Sequence, residues 1–116
     1  MTATNPDRLL VLWTTADKIS ALEMVFLYTT NAKRKGWFEN VTLLIWGAST
    51  GLTVEDEEIQ AALEKAQQEG VRTIACLRCA EDLDVVDDLV DLGVEAFYTG
   101  EFLSDWLKSG DALLSV

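Results

Sequence analysis

Residues 70–80 read Gly-Val-Arg-Thr-Ile-Ala-Cys-Leu-Arg-Cys-Ala, and this stretch decides the fold. The run from Val71 to Leu77 is short and largely apolar, the length of one buried strand. It begins directly after Gly70, which reads as a helix stop, and leads into Ala80, where the next helical pattern begins. A strand set between two helices is the repeating part of a βαβ chain, whose strands lie parallel and are buried on both faces.

The same alternation extends in both directions. Upstream, Thr53 is expected to cap a helix whose first turns hold Glu55, Asp56, Glu57 and Glu58, where the helix dipole favours anions. Ile59, Ala62, Leu63 and Ala66 form its apolar stripe. Before it, residues 41–46 read as a strand and residues 47–52 as a loop. Residues 17–35 read as a helix ended by Gly36, and residues 9–13 as the first strand. Downstream, residues 80–92 read as one helix carrying Leu83, Val86, Leu89 and Val90 and closed by Gly93. Residues 94–98 are the fourth strand, 102–108 a short helix closed by Gly110, and 112–116 the fifth strand. The expected architecture is α/β: a three-layer α/β/α arrangement with a five-stranded, mainly parallel sheet, flavodoxin-like in appearance. Residues 1–7, which hold the only proline, Pro6, are expected to be a mobile tail, and residues 8–116 one domain.

The chain has 116 residues and a formal net charge of −11. Such a surface repels nucleic acid and anionic membranes unless one face is locally basic. Only Lys33, Arg34 and Lys35 cluster, at a helix end that favours cations in any case. No apolar run is long enough to span a bilayer, and the first residues lack the pattern of a signal peptide. A cytoplasmic protein with no nucleic-acid or membrane partner is expected. The consecutive Met24, Val25, Phe26, Leu27 and Tyr28 cover more than one stripe of the first helix. A homo-oligomer formed through that helix is the preferred explanation.

Right-handed crossovers bring every strand-to-helix loop to the carboxyl edge of the sheet, where such folds bind ligands and do chemistry. Those loops are residues 14–17, 47–52, 77–80 and 99–101. Cys76 and Cys79 form a C-x-x-C there, at the end of one strand and the start of a helix. In a βαβ setting this reads as a redox or thiol-transfer motif. Arg78 and backbone amides could favour a thiolate, whereas Glu81, Asp82 and Asp84 would oppose it if they point inward. The alternative is that Cys76 is a small core hydrophobe. A thioredoxin reading fails because no proline is placed to lie beside the thiols. Zinc is disfavoured by two thiols without a histidine, so neither a metal nor a cofactor is expected. No Cys-His or Ser-His-Asp set is possible, since the chain has no histidine.

Gly47, Ser49 and Thr50 resemble a phosphate-cradling loop, although the spacing matches no phosphate-binding signature and an ordinary turn is the simpler reading. Ser49 and Thr50 are expected near Cys76 as donors to a bound anion. Thr15, on the first of these loops, and Tyr98, at the end of the fourth strand, complete the candidate binding set. The aspartates at 82, 84, 87, 88 and 91 fit no calcium loop and read as a solvated helix face.

Three stretches together resemble the DsrE-like (DsrE/DsrF, YchN-like) family. They are Val-Thr-Leu-Leu-Ile-Trp-Gly-Ala-Ser at 41–49, residues 70–80 quoted above, and Leu-Gly-Val-Glu-Ala-Phe-Tyr-Thr-Gly at 92–100 followed by Leu103 and Ser104. The likeness runs from Arg8 to Val116. It implies a parallel-sheet α/β/α fold and an oligomer, often a trimer or hexamer. It also implies a relay of sulfane sulfur between donor and acceptor proteins, with a persulfide on the cysteine after the third strand, here Cys76. Cys79 resembles that of a subgroup with paired cysteines, and beside a Cys76 persulfide it is expected to act as a resolving or auxiliary thiol. Two rival readings stand beside this one: a non-catalytic oligomeric module whose thiols are packing residues, and a small-ligand or nucleotide binder using residues 47–52.

Overall fold

The computed structural model describes residues 5–116. Five strands form one sheet in the order β4-β3-β2-β1-β5, and every pairing is parallel. They are β1 (Arg8–Trp13), β2 (Asn40–Ile45), β3 (Arg72–Cys76), β4 (Glu95–Phe97) and β5 (Ala112–Ser115). Between them lie α1 (Lys18–Ser20), a π-helical stretch (Ala21–Phe26), α2 (Leu27–Arg34), α3 (Ala48–Glu55), α4 (Glu57–Gln68), α5 (Leu77–Asp82), α6 (Val86–Asp91) and α7 (Gly100–Ser109). The α/β architecture expected from the sequence is the one observed.

Strand order sets the layers. From β1 to β4 each strand adds on the same side of its predecessor, so right-handed crossovers place all the intervening helices on one face. The chain then returns from β4 to the far side of β1. That step runs the opposite way and carries α7 to the other face. Alternation along the strands matches this division. Leu9, Val11, Trp13, Val41, Leu43, Ile45 and Ala75 belong to the larger core, together with Ile59, Leu63, Ala80 and Leu89 from the helices. Leu10, Leu44 and Ile74 point the other way and meet Trp106. One helix therefore covers a face five strands wide, and Leu12, Trp46, Phe97 and Leu113 on that face stay half-buried.

Several local expectations need correction. Residues 47–52 are not a loop, because α3 begins at Ala48. Thr53 is no cap: it lies inside α3, and its hydroxyl donates to the Ser49 carbonyl at 2.8 Å. The cap of the following helix is Asp56, whose extended backbone (φ −113°, ψ 119°) breaks α3 from α4 and whose carboxylate accepts from the Ile59 amide at 3.0 Å. The expected helix at 80–92 is likewise two. Asp84 takes φ 56°, and the Val85 and Asp84 amides donate back to the Ala80 and Glu81 carbonyls, which closes α5. Aspartate tolerates this left-handed position better than most residues.

The first helix resolves its crowded apolar run by a π-helical stretch. Ala21, Val25 and Phe26 are buried, and Phe26 packs edge-on against Trp13 at 5.1 Å. Met24 remains exposed, as do Ile19 (71 %) and Leu27 (52 %). Of the expected tail, residues 1–4 lie outside the described residues. Asn5, Pro6 and Asp7 form a turn: the Asn5 amide donates to Asp111 at 2.6 Å, and the Asp7 carbonyl accepts from the Asn40 amide at 2.9 Å. No helix among the described residues is long and apolar enough to cross a membrane.

Trp106 is the anchor of α7. It is buried, donates through Nε1 to the Ala112 carbonyl at 3.1 Å, and carries the Arg8 guanidinium 3.8 Å above its ring. Trp106→Ala is expected to lower unfolding free energy by about 3–5 kcal/mol in denaturant titration, the usual cost of emptying a large aromatic site. A loss below about 1 kcal/mol, the scale of an ordinary surface change, would show that α7 does not hold this face.

Candidate functional site

The parallel register places the site. Ile45 pairs with Ala75, so the chain leaving β2 at Trp46 and Gly47 runs beside the chain leaving β3 at Cys76. Gly47 adopts φ 76° and ψ −134°, a conformation that side-chain-bearing residues rarely reach. Its amide is among the groups that act on the Cys79 thiol. Cys76 is the last residue of β3, and Cys79 lies in the first turn of α5. The two cysteines lie 3.3 Å apart. Both are free thiols.

Their surroundings differ. Cys76 is buried, 5 % exposed, on the face of β3 that also carries Ile74. Its register partner is Phe97. Cys79 is half-buried. Burial pushes the Cys79 thiol above the ordinary cysteine range. The Gly47 amide opposes this, because it donates to the sulfur and so favours the thiolate, while the hydrogen bond with Cys76 and the nearby charges of Cys76 and Asp82 push it further up.

The remaining members of the candidate set divide. Gly47 is part of the site through its backbone. Ser49 is not free to bind an anion: it is fully buried, and its hydroxyl donates to the Trp13 carbonyl at 2.6 Å and accepts from the Trp46 amide at 3.2 Å. It ties the ends of β1 and β2 together. Thr50 is also fully buried, and its hydroxyl has no protein partner. Arg78 points to solvent and forms an ion pair with Asp82 at 3.0 Å. Tyr98 is exposed and donates to Glu81 at 2.8 Å, joining the end of β4 to α5. Thr15 accepts from the Asp17 amide at 3.1 Å, within its own turn. The fold thus brings Gly47, Cys76 and Cys79 together, while Arg78, Ser49 and Thr15 serve neighbouring structure.

One polar group at this edge had no sequence signal. Thr99, the residue just before α7, is 1 % exposed, and its hydroxyl has no protein partner. Its burial depends on β4 lying beside β3, which spacing along the chain does not specify. Among the described residues no three His, Cys, Asp or Glu side chains gather closely enough to hold a metal ion.

No protein-family model matches the chain, and no curated protein matches it. Solved structures do match. A conserved protein of unknown function from Bacteroides thetaiotaomicron, BT1422, superposes with a TM-score of 0.93 at 34 % identity, covering 95 % of each chain. The ychN protein from E. coli superposes with a TM-score of 0.67 at 18 % identity, covering 97 % of this chain and 100 % of its own. The fold is therefore YchN/DsrE-like.

The raised Cys79 thiol sets a pH dependence. Only the thiolate is alkylated, so the rate of Cys79 modification by iodoacetamide is expected to keep climbing past about pH 8.5, where an unperturbed cysteine is half ionised. A plateau below that pH would contradict the burial and hydrogen bonding described for this thiol.

Proposed function

We propose, from the premise that the chain belongs to the family of the Bacteroides protein BT1422, that it takes up sulfane sulfur as a cysteine persulfide on the Cys76–Cys79 pair, as a sulfur-relay or thiol-redox protein. The observation that carries this reading is the close approach, 3.3 Å, of two cysteines that are both free, at the carboxyl edge of a parallel sheet. A persulfide needs a thiol that a donor can reach and an environment that tolerates an anionic sulfur. Cys79 supplies access and the Gly47 amide supplies a donor to the anion. Packing alone does not explain this pair, because Cys79 is only half-buried. The binder reading loses its basis in α3, where the residues of the supposed phosphate loop are helical and Ser49 is saturated by hydrogen bonds.

The exposed Ile19, Met24 and Leu27 lie along the first helix. They suit a second copy of the chain, and a homo-oligomer through this surface is part of the proposal. A cytoplasmic location, where thiols stay reduced, fits the same chemistry.

Intact-mass measurement after exposure to a sulfane-sulfur donor tests the reading. The wild-type chain is expected to react, either gaining one sulfur or converting to the disulfide. The double variant Cys76→Ser, Cys79→Ser is expected to show neither change. A wild-type chain that stays unaltered, with both thiols free, would end it.

A further inference from the structure

The two thiols differ in access by position rather than by chance. Cys76 ends a strand, with its side chain on a sheet face beside Ile74 and in register with Phe97, and it is 5 % exposed. Cys79 is three residues further on, past the rim of the sheet, and half-buried. A molecule approaching this edge meets Cys79 first. Any persulfide formed on one sulfur then has the second cysteine close beside it, since the two residues approach to 3.3 Å.

We propose that Cys79 is the thiol that receives sulfane sulfur, that Cys76 behind it resolves the persulfide, and that the pair discharges the sulfur as sulfide. This deepens the reading above and rests on it. With a low-molecular-weight alkyl persulfide, R–S–SH, as donor, the Cys79 thiolate attacks the terminal sulfur. The bond from Cys79 to that sulfur forms, the donor's own S–S bond breaks, and the thiol R–SH leaves with the proton that Cys79 gave up. Cys76, deprotonated in turn, attacks Sγ of Cys79. The Cys76–Cys79 disulfide forms, the bond from Cys79 to the terminal sulfur breaks, and that sulfur leaves as hydrosulfide. The pair loses two electrons and the sulfane sulfur gains them. Return to the dithiol takes two electrons and two protons from an external dithiol reductant, so a chain without one stops after a single turnover.

The reverse assignment, with the persulfide first on Cys76, asks a donor to pass Cys79 and reach a buried sulfur. It would also leave that persulfide beside the second cysteine. Holding the persulfide for delivery to an acceptor is therefore the outcome this geometry disfavours.

The test is a single turnover of the full chain, reduced and then freed of reductant, with cysteine persulfide as the probe. Sulfide and intact mass are read for wild type, Cys76→Ser, Cys79→Ser and Cys79→Ala, with circular dichroism confirming that each variant is folded. Wild type is expected to release one sulfide per chain and to end with the disulfide. Cys76→Ser is expected to keep one extra sulfur, with loss of sulfide release. Both Cys79 variants are expected to lose sulfur uptake. If the folded Cys79 variants take up sulfur while Cys76→Ser is inert, the order is reversed and this proposal falls, although the sulfur-accepting reading stands. Wild type that holds a stable persulfide and releases no sulfide likewise overturns the proposal alone. Wild type that neither gains sulfur nor forms the disulfide overturns both.

Discussion

The parallel register of β2 on β3 is the constraint on which the rest depends. Pairing Ile45 with Ala75 fixes where the two chains leave the sheet, and so brings Gly47 alongside the cysteines. Hydrophobic alternation makes this register costly to change. A slip of one residue would turn Leu43 and Ile45 out of the larger core and Leu44 out of the smaller one. The edge is tied further by the Trp46 amide, which donates to the Trp13 carbonyl at 3.1 Å, and by the Ser49 amide, which donates to the Thr14 carbonyl at 3.2 Å. Ser49, which the sequence alone suggests as an anion donor, secures the scaffold on which the thiols sit.

Much of the fold was legible because it rests on short-range signals. Five apolar runs separated by helical periods left little choice but a parallel sheet. Gly70 and Gly93 stopped their helices where expected, because each takes a positive φ that glycine reaches without strain. The errors came where another residue type did the same work. Asp84 takes a left-handed conformation in the middle of an apparently continuous helix, and Asp56 rather than Thr53 accepts the capping hydrogen bond. The acidic run from Glu55 to Glu58 concealed this cap, since every residue in it suits a first helical turn. The π-helical stretch left no mark beyond an apolar run too dense for an ordinary helix. There it buries Val25 and Phe26 side by side and leaves Met24 and Leu27 outside.

The site was legible in part. The position of the thiols follows from topology, which sends every strand-to-helix connection to one edge. Their inequality does not, because it depends on which sulfur points along a strand face and which stands at the rim of a helix. Arg78 shows the same limit: it sits between the two cysteines in sequence, yet α5 turns it outward to Asp82. The Arg78 charge is thus paired with a carboxylate on its own helix. What favours a thiolate at Cys79 is a backbone amide, Gly47, contributed from across the sheet.

The account turns on which sulfur solvent can reach in the folded chain. The most direct measurement is the order in which the two cysteines are modified by a small alkylating reagent under native conditions, located by peptide mapping. Cys79 is expected to be labelled first, with Cys76 protected until the chain is unfolded. Labelling of Cys76 ahead of Cys79 in the native protein would contradict it.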